Sequence, residues 1–207
     1  MDIHSVFWIA GLTFLAYLIG SFPTGFLLVK LTKGIDIREV GSGSTGATNV
    51  KRVMGKSGFI TVMVLDGLKG VLPVLAAKYL EVKLNLYPSL SILPILASIA
   101  IIIGHSKSIF LGFKGGKSVA SGSGTIMGLN WSVGVITFII WCTLTYTTKY
   151  VSVASIVALL LTPVWMYLLK QPVIYVIYCL VGALYIVWLH RDNVKRLLSG
   201  TESKIRD

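Results

Sequence analysis

SVASGSGTIMGLNWSVGVITFIIWCTLTYTT, Ser118–Thr148, is a stretch of 31 residues without a charged side chain. As one α-helix it would be about 46 Å long. The hydrocarbon core of a bilayer is only about 30 Å thick. Gly128-Leu129-Asn130-Trp131 has the composition of a turn at mid-run. The stretch is therefore read as a short helix, 118–128, followed by a full helix, 131–148. The short helix is not long enough to span and has to lie within protein or line a cavity, because lipid leaves no free backbone group satisfied.

The rest of the chain repeats the pattern without the ambiguity. Apolar runs cover Val6–Val29, Leu84–Gly104, Tyr150–Leu169 and Gln171–Leu189, and Ser57–Ala77 is apolar apart from Asp66 and Lys69. Hydrophobic residues make up 55% of the 207 and charged ones 13%. Soluble domains carry about 25% charged residues, so lipid is the solvent this chain is built for. The fold expected is all-α, a polytopic membrane helix bundle of seven membrane segments over one domain, 1–207. The first run is too long for a signal peptide core and its basic flank follows it, so it is read as a retained helix with the N-terminus outside.

Charge placement supports this topology. The inside segments would hold Lys30, Lys33, Arg38, Lys51, Arg52, Lys56, Lys107, Lys114, Lys117, Lys149, Arg191, Lys195, Arg196, Lys204 and Arg206, fifteen residues against Lys78, Lys83 and Lys170 outside. Reading 118–148 as one crossing would put the last six of the fifteen outside. The net charge of +11 thus reports membrane topology, and no nucleic-acid partner is expected. Cys142 and Cys179 fall in apolar runs without metal-ligand spacing.

Four polar clusters fall on the inside face. Gly41–Asn49, GSGSTGATN, sets Ser42, Ser44, Thr45 and Thr48 between glycines that include Gly43, with Lys51 and Arg52 just beyond. Glycines let backbone N–H groups approach an anion, and the hydroxyls add donors. After Gly104-His105, where His105 is read either as a site group or as a helix-end cap, Gly115-Gly116-Lys117-Ser118 at the start of the short helix form a second anion-binding pattern. It is not a Walker A loop, since Leu111 stands where the first glycine belongs. Ser152 and Ser155 share a helix face, either as site groups or as small residues for close helix packing. His190 and Asn193 share another, placed to orient or deprotonate a hydroxyl. Asp66 and Lys69, three apart inside a span, are read as a structural ion pair, because isolated charges there are costly. No serine-nucleophile elbow and no metal site is legible. The HxxxxD pattern is also absent: Phe110 follows His105 by five, and Lys195 follows His190 by five.

In their order, these clusters resemble the bacterial acyl-phosphate:glycerol-3-phosphate acyltransferases, from about Tyr17 to Glu202. DIREVGSGSTGATNVKRVMGKSG, DGLKG, GH followed by FKGGKSVAS, KYVSVAS and HRDNVKRLLSGTES carry the resemblance. Members usually have Asn at Ser44, an aromatic-proline pair at Lys107-Ser108, Gly at Ser118 and Arg at Lys149. The resemblance implies transfer of a fatty acyl group from acyl phosphate to the 1-hydroxyl of glycerol 3-phosphate. It implies no cofactor, no covalent acyl-enzyme, an active site facing the cytoplasm from the inner membrane, and an upstream enzyme that makes acyl phosphate. Ser42, Gly43, Ser44, Thr48 and Asn49 of the glycine loop, His105, Gly115, Gly116 and Ser118, with Arg52 and Lys117, would bind and stabilise phosphate. His190 and Asn193 would orient the acceptor, with Ser152 and Ser155 alongside. The competing classes are an organic-anion transporter, which should show an inverted repeat, and another lipid-headgroup enzyme, which should show clustered carboxylates.

Overall fold

The computed structural model describes residues 2–205. Met1, Arg206 and Asp207 lie outside them, so Arg206 of the basic C-terminal set is not placed. The described residues form helices and turns, with no strand among them, and divide into two compact units that meet in sequence between Leu129 and Asn130.

In the first unit, α1 (Ile3–Ser21) is N-capped by Asp2, whose carboxylate accepts from Ser5 N at 2.8 Å and Ser5 Oγ at 2.7 Å. The expected Val6–Val29 helix is interrupted at Phe22-Pro23, because proline has no N–H and disfavours helix in the residue before it. Thr24–Lys33 continues as α2 and ends at Gly34, whose φ of 70° is left-handed. Next, α3 (Ala47–Lys83) is far longer than the expected Ser57–Ala77, with a break at Gly55 (φ 68°, ψ −158°). Leu84–Ser91, expected to begin the next helix, is a turn instead. Asn85, Tyr87 and Ser91 have positive φ around Pro88, and the apolar Leu86 is buried in the turn. α4 (Ile92–Ser106) and α5 (Val119–Leu129) follow. At 11 residues α5 is about 16 Å long, so it does not span.

Small residues set the packing. A Cβ on Gly70 would strike the Ser121 carbonyl, and one on Gly124 would strike that of Gly67, so α3 and α5 touch backbone to backbone. Gly20 and Gly104 do the same for α1 and α4. Close approach leaves broken helix ends to be satisfied in a medium without water, and α3 supplies the groups. Lys69 Nζ donates to Phe22 O at the kink (3.0 Å), Lys78 Nζ to Leu129 O at the end of α5 (3.1 Å), and Leu93 N donates to Glu81 Oε1 at the start of α4 (2.8 Å). Lys78, expected in an outside loop, is thus a helix residue with an internal partner.

The second unit matches expectation closely. α6 (Trp131–Thr148) starts after Asn130, whose Oδ1 accepts from Val133 N at 3.0 Å, the break expected within the uncharged run. α7 (Val151–Leu168) packs against both α6 and α8 (Val173–Leu189), and α9 (Arg191–Leu198) turns off α8 by 59°. Five helices among the described residues are long and apolar enough to cross a membrane, counting the kinked Ile3–Lys33 as one, or six with the α8–α9 pair. Large apolar side chains such as Phe7, Phe14, Leu72, Phe138, Ile139 and Val181 face outward, as lipid contact requires.

Candidate active site

The glycine loop is built around one buried amide. Ile37 is fully buried in a cluster with Val29, Val50 and Val62, which anchors the start of the loop. Asp36 accepts from Arg38 side chain and backbone, and those bonds hold its carboxyl down to about 2. Asn49 is 2% exposed. Its Nδ2 lies within 3.1 Å of the carbonyls of Ile37, Val40 and Ser44, and its Oδ1 accepts from Ser42 N at 3.1 Å. Gly41 has φ of 59° and sits against Asn49 Oδ1 and the Arg52 guanidinium, so both conformation and space demand glycine there. Gly43, at φ of 68°, closes the turn through its N–H to Val40 O. Asn49 therefore organises the loop from inside, while Ser42, Thr48 and Arg52 are exposed on it and Ser44 is half-buried. Arg52 Nη1 reaches Asn49 Oδ1 at 3.4 Å, which ties the guanidinium to the loop it borders.

Asp66 and Lys69 pair as expected, at 2.9 Å with side chains 3% and 8% exposed. A charge at the bilayer centre costs about 2.5–3.5 kcal/mol, so the pairing is what makes both tolerable. The pair is not isolated from the site residues. His105 Nδ1 lies 3.9 Å from Asp66 Oδ1, and both line a narrow cleft with Ser21, Thr45 and Ser108. Thr45 belongs to the glycine loop, and its carbonyl abuts Gly25 of α2, so loop and cleft are continuous. Ser21 Oγ and His105 Nδ1 are buried there without a hydrogen-bond partner.

The Gly115–Ser118 turn rests on the end of α4. Gly116 N donates to His105 O at 3.1 Å, Gly115 lies against the same carbonyl, and Gly116 lies on the imidazole ring. Ser118 has φ of 58° and is fully buried, donating to Ile102 O at 2.8 Å. The left-handed conformation costs a non-glycine residue about 1–2 kcal/mol. A buried hydrogen bond contributes about 1 kcal/mol, so the serine largely offsets its own strain. Lys117, next to it, is half-buried.

In the second unit, the hub is Glu202, which no sequence argument singled out. Its Oε1 accepts from Ser152 Oγ (2.7 Å) and Asn193 Nδ2 (2.6 Å), and its Oε2 from Arg196 Nε (2.7 Å). Burial raises the carboxyl's pKa, but the bonds from Asn193, Ser152 and Arg196 outweigh it and hold it below the ordinary value. The available signal was a carboxylate standing among the basic residues of the C-terminal tail. His190 is 4% exposed, and its Nδ1 donates to Ile186 O at 2.8 Å, which leaves the lone pair of the neutral ring on Nε2. Ser155 has a packing role: it accepts from Trp141 Nε1 at 3.1 Å and donates to Val151 O at 2.7 Å. Ser152 and Asn193 are brought together through Glu202, whereas Ser155 belongs to the α6–α7 contact.

The family model described as glycerol-3-phosphate acyltransferase matches residues 10–200. A glycerol-3-phosphate acyltransferase of Trichormus variabilis is 48% identical over 200 residues, covering 92% of this chain and 88% of that one. One of Desulforamulus reducens is 44% identical over 190 residues, covering 92% of each. The fold is similar to the crystal structure of PlsY (YgiH), an integral membrane glycerol 3-phosphate acyltransferase, in its glycerol 3-phosphate form. The TM-score is 0.88 at 36% identity, over 96% of both chains. The lysophosphatidic acid form of that protein gives 0.85 at 35% identity. The membrane-embedded helix bundle, its glycine-rich loops and these matches lead to one conclusion: the chain belongs to the glycerol-3-phosphate acyltransferase family.

Proposed function

We propose that this acyltransferase moves a fatty acyl group from an acyl phosphate to the 1-hydroxyl of glycerol 3-phosphate, giving lysophosphatidic acid and inorganic phosphate. The observation that carries this reading is the glycine loop. Asn49 ties down its backbone from inside, and Ser42, Thr48 and Arg52 remain on its outer side as donors for an anion. Both substrates are phosphate esters or anhydrides. We assign Ser42, Gly43, Ser44, Thr48, Arg52, Gly115, Gly116 and Lys117 to phosphate binding and charge stabilisation. Asn49, Ser118 and His105 shape the backbone that does it. His190 and Asn193 orient the acceptor, with Ser152 supporting Asn193 through Glu202.

The hydroxyl oxygen attacks the carbonyl carbon, and the bond from that carbon to the phosphate oxygen breaks. An acyl phosphate is already activated, so no enzyme nucleophile is needed. His190 Nδ1 donates to a backbone carbonyl and not to a carboxylate. The hydroxyl proton goes to the departing phosphate, a base with a second pKa of about 6. The chain works as one domain in the cytoplasmic membrane, with seven membrane segments, the N-terminus outside and the phosphate-binding loops inside. An upstream enzyme that forms acyl phosphate supplies the donor.

The test is purified protein with palmitoyl phosphate and glycerol 3-phosphate, in chelator. Lysophosphatidic acid by mass and an equal amount of released phosphate are expected. Phosphate release that ignores glycerol 3-phosphate, or equal turnover of palmitoyl-CoA, would overturn the reading.

A further inference from the structure

We propose that His105 is the positioning residue of the Gly115–Lys117 turn and that the Asp66–Lys69 pair holds it in place. Together they set how tightly the turn takes a substrate phosphate. The inference rests on the reading of this turn as a phosphate site. His105 would then act beneath the turn, without touching phosphate itself.

Three observations converge on it. The imidazole forms the floor of the turn: a Cβ on Gly116 would strike Nε2 and come within 3.1 Å of both neighbouring ring carbons. The His105 carbonyl holds the same glycine from its N–H at 3.1 Å, so ring and backbone of one residue fix the turn's height. Finally, the Nδ1 edge of the ring is not locked by a hydrogen bond. Nδ1 is buried and unpartnered, 3.9 Å from Asp66 Oδ1, beyond hydrogen-bond reach. Its position therefore depends on packing and on where the carboxylate stands. Lys69 fixes the carboxylate by ion pairing with it at 2.9 Å while donating to Phe22 O at 3.0 Å. The kink in the first span is in this way linked, through Lys69, Asp66 and His105, to the backbone N–H of Gly116. Buried charges retained at such cost inside a bilayer need a use, and holding a binding turn supplies one.

The test is a size-exchange cycle of Gly116→Ala, His105→Ala and the double variant, with kcat, KM for each substrate and Tm measured in detergent. Each single variant should raise KM for the phosphate substrate held at the turn by about tenfold, with kcat within about threefold of the parent. The double variant should recover most of the Gly116→Ala loss in KM and Tm, because the new methyl enters the space left by the ring. The neutral pair Asp66→Asn with Lys69→Met should raise the same KM. A double variant as poor as the product of the singles overturns the proposal, as does a fall in kcat with KM unchanged. If Gly116→Ala fails to fold, recovery of folding in the double variant supports the proposal. Failure of the double while His105→Ala folds overturns it. Absence of turnover in the parent would instead sink the acyl-transfer reading, and the Tm cycle, which needs no substrate, still decides the packing.

Discussion

Among the basic residues, the proposed phosphate ligands differ from the proposed topology anchors in environment. Arg52 is tethered to Asn49 at the rim of the glycine loop, and Lys117 is half-buried in the turn over α4. Lys195 is exposed on α9. A charge-assisted hydrogen bond contributes about 1.5–3 kcal/mol, equivalent to roughly 10- to 150-fold in kcat/KM. Lys117→Met and Arg52→Met should each lose activity in that range while still folding, and Lys195→Met should stay within about twofold. Equal, mild losses at all three positions would reduce the basic residues to topology anchors. The loop itself was legible in GSGSTGATN, because closely spaced glycines and hydroxyl residues mark a tight, donor-rich turn. The division of labour within it was not. Asn49 looked like one more donor, and only its depth beneath the turn shows that the loop's own carbonyls use its amide. Ser118, likewise, is read differently once its positive φ and its bond to Ile102 are known.

At the level of elements, broken helices are finished by side chains from elsewhere. The kink at Pro23, the end of α5 and the start of α4 all draw on α3, and the tail after α9 is strapped to α7 by Glu202. This strap should be pH-sensitive, and its sign follows from the lowered carboxyl. Its stabilisation is complete above the ordinary carboxylate value of 4.5 and is lost as pH falls through the lower folded value. The Arg196 side chain is 38% exposed, so solvent screens that arm, and the bonds from Asn193 and Ser152 carry more of the effect. Glu202→Gln should lower Tm at pH 7 by a few degrees, at about 2–4 °C per kcal/mol for a chain of this size. The gap to the parent should close below about pH 4. A gap that stays constant with pH, followed by differential scanning fluorimetry in detergent, would show that Glu202 acts by shape and not by charge.

For the whole molecule, the charge bias of the sequence, with Lys83 and Lys170 left on the outside once Lys78 is placed on α3, predicts that the glycine loop, the Gly115–Lys117 turn and α9 all face the cytoplasm. Single cysteines at the exposed positions Ser42, Lys114 and Lys195 should react with an impermeant thiol reagent only after the inner face is opened, and one at Lys170 should react in intact cells. The native Cys142 is exposed and has to be replaced first. Labelling of the Ser42→Cys or Lys195→Cys variant from outside would break the proposed topology. The sequence by itself determined the solvent, the helical class, the division of Ser118–Thr148 at Asn130 and the ordered motifs of the family. Each of these depends on the length or composition of one continuous stretch, which water and lipid sort without reference to the rest of the chain. Tertiary structure alone decided that Leu84–Ser91 turns, that α3 extends to Lys83, that the Asp66–Lys69 pair meets His105, and that Glu202 joins Ser152 to Asn193. Those outcomes depend on which polar atoms, dozens of residues apart, become neighbours once glycine seams bring the helices together. In a membrane interior a polar atom must find a partner within the protein, and packing, not local sequence, decides which one it finds.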